Sequence, residues 1–175
     1  ICHTALKYRI ARTKQAKPEN APLLYMYGAF GKRLKRTDSV DEVFKNSRAT
    51  ISLGYIGLYE VCTTFYGSNW EHNKEAHDFA VSIAKAMHEL CAKWESEEGY
   101  HYSLYSTPAE SLTDTFCQDD LKKFGRIEDV TDKEYYTNSF HYDVRKHPTP
   151  FEKLEFEEAF PYQAAGGFIH YCEYP

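Results

Sequence analysis

A chain of 175 residues that is 42% hydrophobic and carries a net charge of −5 is long enough for one packed domain and too apolar for wholesale disorder. The acidic balance and the lack of a long basic run argue against tracking of a nucleic-acid backbone, and no apolar stretch is long enough to span a bilayer. No secretory leader is expected, and five cysteines without a C-x-x-C pair argue against a disulfide scaffold or a zinc ribbon, so a reducing, cytoplasmic setting is the simplest reading.

The elements follow in chain order. The spacing predicts a helix from Thr4 to Ala16, with Leu6, Ile10 and Thr13 on one side; Ile1-Cys2-His3 before it read as the interior of something longer. A second helical pattern runs from Ala21 to Leu34, weakened by Gly28 and Gly31. Lys32-Arg33-Leu34-Lys35-Arg36 reads as a solvated helix face, and Asp38 as the cap of a short helix carrying Val40, Val43 and Phe44. A buried strand is expected over Thr50 to Gly57, with Gly54 and Gly57 allowing close backbone approach, then a short helix from Leu58 to Phe65. The strongest helix spans Lys74 to Trp94, where Ala76, Ala80, Ile83, Ala84, Met87, Cys91 and Trp94 keep a three-and-four spacing. His72 and His77 flank its start and read as exposed, and Gly99 marks its exit. Cys2, Cys62, Cys91, Cys117 and Cys172 read as small buried hydrophobes.

Next comes a strand that turns directly into a helix, Tyr102 to Leu112. Thr107 is placed to cap, Pro108 to take the first helical position and Glu110 the third, with the helix running to Lys123 and stopping near Gly125. A helix start of this kind offers unpaired backbone N–H groups and the positive end of a dipole, a common way to hold a phosphate. Glu110 carries two readings: a capping-box partner of Thr107, or a carboxylate turned from the phosphate toward a sugar. The run Tyr135 to Val144 is strand-like, which would set Asn138 and His141 on opposite faces and Ser139 with His141 on one. An acidic loop from Phe151 to Phe160 and a last strand from Gly166 to Tyr174 complete the chain. Alternation of strands and helices indicates an α/β fold. No Rossmann, P-loop or nucleophile-elbow motif is present, and no metal site is expected.

Four runs together resemble the anaerobic, class III ribonucleoside-triphosphate reductases: Ser47 to Glu60, Tyr105 to Leu112, Val130 to His141, and Gly166 to Tyr171. The chain departs from the family pattern at Glu134, where glycine is usual, and at Thr115, where arginine is usual. The resemblance implies part of a ten-stranded α/β barrel of the glycyl-radical type, with residues 1–175 as a single segment of it. It also implies reduction of ribonucleoside triphosphates to deoxyribonucleotides, a glycyl radical, formate as reductant, zinc in a C-terminal region, a radical-activating enzyme and a homodimer partner. On that likeness the thiyl-cysteine loop, the N-terminal regulatory cone and the glycyl-radical and zinc region lie outside this segment, which by itself binds no cofactor and is inactive. Ser106, Thr107, Ala109 and Ser111 match the junction that cradles substrate phosphates, Glu110 is the candidate catalytic group, and Asn138, Ser139 and His141 are candidate cavity-lining residues. The rival readings are a non-catalytic nucleotide-binding module on the same barrel, and a related glycyl-radical enzyme with another substrate.

Overall fold

The computed structural model describes residues 1–106 and 108–171. In chain order its principal elements are α1 (Cys2–Lys14), α2 (Pro22–Tyr25), β1 (Thr50–Gly54), α3 (Leu58–Tyr66), α4 (Lys74–Glu98), β2 (His101–Tyr105), α5 (Glu110–Phe124) and α6 (Pro150–Glu157). β1 and β2 pair in a small parallel sheet, the expected product of a crossover through helices. The segment around Phe168 lies parallel on the end of β2: the Gly166 N–H donates to Leu104 O at 2.7 Å, and the Ser106 N–H to Gly167 O at 3.0 Å. This is an α/β arrangement. Among the described residues no helix is long and apolar enough to cross a membrane.

The chain forms two compact units, Ile1–Leu53 with Cys91–Ser103, and Gly54–Leu90 with Leu104–Pro175. In the first, Ile10 of α1 is buried, as are Val40, Val43 and Leu34. The helix expected to Leu34 stops after one turn. Gly28 and Gly31 take positive φ angles of 90° and 73°, and the chain doubles back so that the Leu34 N–H donates to Tyr25 O at 2.7 Å. The basic run is therefore a loop and not a helix face, with Lys32 paired to Glu42 at 2.6 Å. Ser39, not Asp38, caps the following 3-10 turn Val40–Val43, and the Asp38 carboxylate instead accepts the Lys35 N–H at 2.9 Å.

The second unit holds the larger core. Leu58, Tyr59 and Cys62 of α3 meet Ala76, Ala80 and Ala84 of α4, and Phe140, Tyr142, Phe156 and Phe160 close over them. The alanines on one face of α4 let the aromatic rings approach its backbone, and Phe140 stacks on Phe160 at 5.4 Å. β1 ends at Gly54, earlier than expected, because Gly57 turns into the left-handed region (φ 77°) to start α3. Burial raises the thiols of Cys62 and Cys91 to about 11, and that of Cys117 in the same direction, so they are protonated hydrophobes. Cys2, by contrast, is exposed, and Cys172 lies outside the described residues. His77 is not exposed as expected: its Nε2 lies 2.7 Å from Phe156 O, and its ring packs edge-on against Phe156 and Phe160.

Three further expectations change in this unit. Residues 150–157, read as an acidic loop, form α6, opened by Thr149 and Pro150 with Glu152 completing a reciprocal cap. Tyr135 to Val144 is not a strand but a chain of turns, with one isolated bridge between Ile56 and Asn138. The last strand is reduced, among the described residues, to the bridge of Phe168 with Ser106.

Candidate functional site

The β2–α5 junction departs from its expected geometry. α5 begins at Glu110, with Ala109 as its N-terminal flanking residue and no side-chain cap. Pro108 therefore precedes the helix, and Glu110 occupies the first helical position, where the reach-back of a third-position capping-box carboxylate does not apply. Thr107, the expected cap, lies outside the described residues. The Ala109 N–H is not open to a ligand, because it donates to Asn138 Oδ1 at 2.9 Å. The N–H groups of Glu110 and Ser111 have no acceptor among the described residues, and both side chains are exposed. Both N–H groups lie in the first turn of a 15-residue helix, at the positive end of its dipole.

Ser106 stands directly before the junction and is fully buried. Its hydroxyl donates to the Tyr55 hydroxyl at 2.9 Å, while its backbone is bonded to the Phe168 segment. Ser106 thus ties the end of β2 in place and leaves its side chain little freedom to bind. Burial pushes the Tyr55 hydroxyl up to about 12, so it stays protonated.

The structure brings the Asn138 to His141 turn against this junction through one atom, the Asn138 amide oxygen. The His141 N–H donates to Asn138 O at 3.1 Å, closing a four-residue turn in which Ser139 has φ 40°. Asn138 and His141 are therefore near each other by the turn, not separated across a strand. Ser139 is fully buried, and its Oγ has no hydrogen-bond partner among the described residues. His141 is buried too, with Nδ1 3.2 Å from Glu157 Oε1 and Nε2 without a partner among the described residues.

Sequence reasoning missed the charged residues behind these positions. Glu157 is buried in α6 and accepts from Lys153 at 2.5 Å, from the Tyr142 N–H at 3.0 Å, and on its second oxygen from His170 Nδ1 at 3.0 Å. Burial alone would raise its carboxyl, but the bonds from His141, Lys153 and Tyr142 prevail and hold it below the usual range. A second buried cluster joins Lys133 to Glu60, and to Asp143 at 2.9 Å. Glu60 also accepts the Thr137 N–H at 3.0 Å and its hydroxyl at 2.7 Å. Asp143 is further gripped by Arg145 at 2.7 Å, which with Lys133 overcomes desolvation and lowers its carboxyl to about 2. One signal could have found the first cluster: Lys153, Phe156, Glu157 and Phe160 share one helical face, so two charges sit on an apolar stripe. Glu60 and Lys133 lie inside the long motif runs, yet nothing in their spacing marks them as partners 73 residues apart.

The family description "Anaerobic ribonucleoside-triphosphate reductase" matches residues 1–175. The chain is 49% identical over 176 residues to the anaerobic ribonucleoside-triphosphate reductase of Haemophilus influenzae, and 47% identical over the same length to that of Escherichia coli. It is 43% identical over 175 residues to that of Enterobacteria phage T4. Each similarity covers 100% of this chain but 25% of the bacterial proteins and 27% of the phage protein. The chain thus spans about a quarter of the length of the curated relatives it matches. The whole described architecture, junction and buried turn included, lies inside that similarity, and the chain belongs to the anaerobic ribonucleoside-triphosphate reductase family.

Proposed function

We propose that this chain is a segment of the catalytic barrel of an enzyme that reduces ribonucleoside triphosphates to deoxyribonucleotides without oxygen. The supporting observation is similarity at 43–49% identity over the full chain to proteins named for that reaction. The finer architecture is a ten-stranded α/β barrel, of which β1, β2 and the Phe168 segment form adjoining staves. In this reading the β2–α5 junction receives the triphosphate. The N–H groups of Glu110 and Ser111 donate to phosphate oxygens, and the helix dipole adds its positive end. Ser106 and Ala109 position the junction from behind, one through Tyr55 and the other through Asn138. Thr107 belongs to the same cradle by position in the chain. Glu110 has no side-chain partner among the described residues, and its carboxylate is assigned to the sugar as a hydroxyl acceptor or acid–base group. Asn138, Ser139 and His141 back the cavity.

A glycyl radical, and the cysteine it activates, would supply hydrogen-atom abstraction from the ribose. Those groups, formate as reductant, the zinc region, the radical-activating enzyme and the homodimer partner are assigned to the larger cytoplasmic protein. Among the four described cysteines, Cys62, Cys91 and Cys117 are buried and held protonated, and Cys2 is exposed.

The test separates backbone from carboxylate in the full-length reductase. Glu110→Pro removes the carboxylate and also the N–H, at a helical position that tolerates proline, and Glu110→Ala removes only the carboxylate, so the difference between the two variants reads the N–H. Glu110→Pro is expected to raise the triphosphate KM about tenfold, the value of one charge-assisted hydrogen bond. Glu110→Ala is expected to lower kcat with little change in KM. An unchanged KM in folded Glu110→Pro enzyme removes the phosphate cradle. A wild-type protein that reduces no ribonucleoside triphosphate removes the function itself.

A further inference from the structure

We infer that Glu157 is a positioning residue for His141, holding the imidazole with its proton on Nδ1 and its Nε2 lone pair presented as an acceptor for a hydroxyl of the bound substrate. The inference rests on the reductase reading above and adds to it a residue, a tautomer and a polarity. Three observations carry it. First, Glu157 Oε1 stands 3.2 Å from His141 Nδ1, and an ionised carboxylate only accepts, so Nδ1 carries the proton. Second, Lys153, one turn earlier on α6, bonds the same oxygen at 2.5 Å. That ammonium already balances the carboxylate, so the pair does not require an imidazolium beside it. Third, His141 Nε2 is buried without a hydrogen-bond partner among the described residues. A buried acceptor left unmade is destabilising, and a donor completes it. Ser139, two residues away in the same turn, has a buried hydroxyl in the same unpartnered state.

Among the described residues, Glu157 of α6 bonds the ring and is itself bonded by Lys153; from the C-terminal segment, His170 bonds the second carboxylate oxygen at 3.0 Å and the Tyr171 ring packs edge-on on His141 at 5.5 Å. The Phe140 ring covers another side at 4.8 Å. The turn is anchored to the helix start by Asn138, so a lone pair fixed on His141 belongs to the same local frame as the donors of Glu110 and Ser111.

The experiment uses the full-length reductase and reads the acid limb of its kcat/KM profile, where a required neutral imidazole becomes protonated. Glu157→Gln removes the negative charge and is expected to move that limb about one unit to lower pH. Lys153→Met leaves the carboxylate uncompensated and is expected to move it about one unit to higher pH. His141→Gln is expected to abolish the limb and lower kcat at least tenfold. Opposite shifts from two neighbours of one turn support the inference, since loss of packing alone moves both variants the same way. A limb that stays fixed in Glu157→Gln and Lys153→Met, or that survives in His141→Gln, overturns it. If Glu157→Gln fails to fold, Glu157→Asp and Lys153→Met carry the test. Histidine-labelled NMR of the same protein reads the tautomer without turnover. An Nε2-protonated neutral His141 overturns the inference even where the reductase reading stands. An Nδ1-protonated one in a protein without triphosphate reduction supports it and removes the function alone.

Discussion

At the residue scale, the buried charges decide more than the exposed ones. Asp143 is held at about 2 by Arg145 and Lys133 against the cost of its burial. A carboxyl lowered in the folded state contributes stability that is complete above its unfolded value, near 3.8, and is lost as pH falls toward 2. The stability difference between wild type and Asp143→Asn is therefore expected to be largest near neutrality and to shrink from pH 4 to pH 2. Denaturant unfolding at each pH measures it, and a gap that stays constant across that range would show that Asp143 is not ionised in the cluster. Removing one partner of such a buried set typically costs about 3–5 kcal/mol. None of this was legible in the sequence, where Glu60 and Lys133 sit in separate motifs and Asp143 lies outside them. Burial and pairing are tertiary facts, and a charge gives no local sign of being inside.

At the element scale, one four-residue pattern occurs twice with different results. Thr-Pro-x-Glu stands at 107–110 and at 149–152. The second copy builds the expected cap: the Thr149 hydroxyl accepts the Glu152 N–H at 3.3 Å, and Glu152 accepts the Thr149 N–H at 2.8 Å. At the first copy α5 starts two residues later than the pattern predicts, and the Ala109 N–H is taken by Asn138. A local signature competes there with a side chain 29 residues away, and the tertiary bond prevails. Thr149→Ala is accordingly expected to cost about 1 kcal/mol in chemical unfolding, as for other lost N-caps. No loss would mean that packing of Phe156 and Phe160 alone sets α6. The long helix α4 was legible throughout, because a strict apolar repeat over many turns outweighs any single contact. The Tyr135 to Val144 turns were not, because alternating aromatic and polar residues mimic a strand while Ser139 at φ 40° breaks it.

At the scale of the whole molecule, many large apolar side chains are uncovered. Leu23, Tyr27, Phe65, Phe151 and Tyr162 are all more than two-thirds exposed. Exposed apolar side chains in this number favour association of the isolated chain wherever they lie together. The 175-residue chain expressed alone is expected to self-associate and to bind an apolar dye, in contrast to the full-length protein. Light scattering behind a sizing column checks this, and a dye-silent monomer would contradict it. The residue before α5 and the Asn138–His141 turn are joined by a short bond, from the Ala109 N–H to the amide oxygen of Asn138. A tether of that length acts as a thermodynamic latch. On the proposed reading, a phosphate that orders the helix start also lowers the entropy of the Ser139–His141 turn and so prepays part of the ordering cost of a second contact there. By reciprocity, a change at the turn must be felt at the helix as an equal change in affinity.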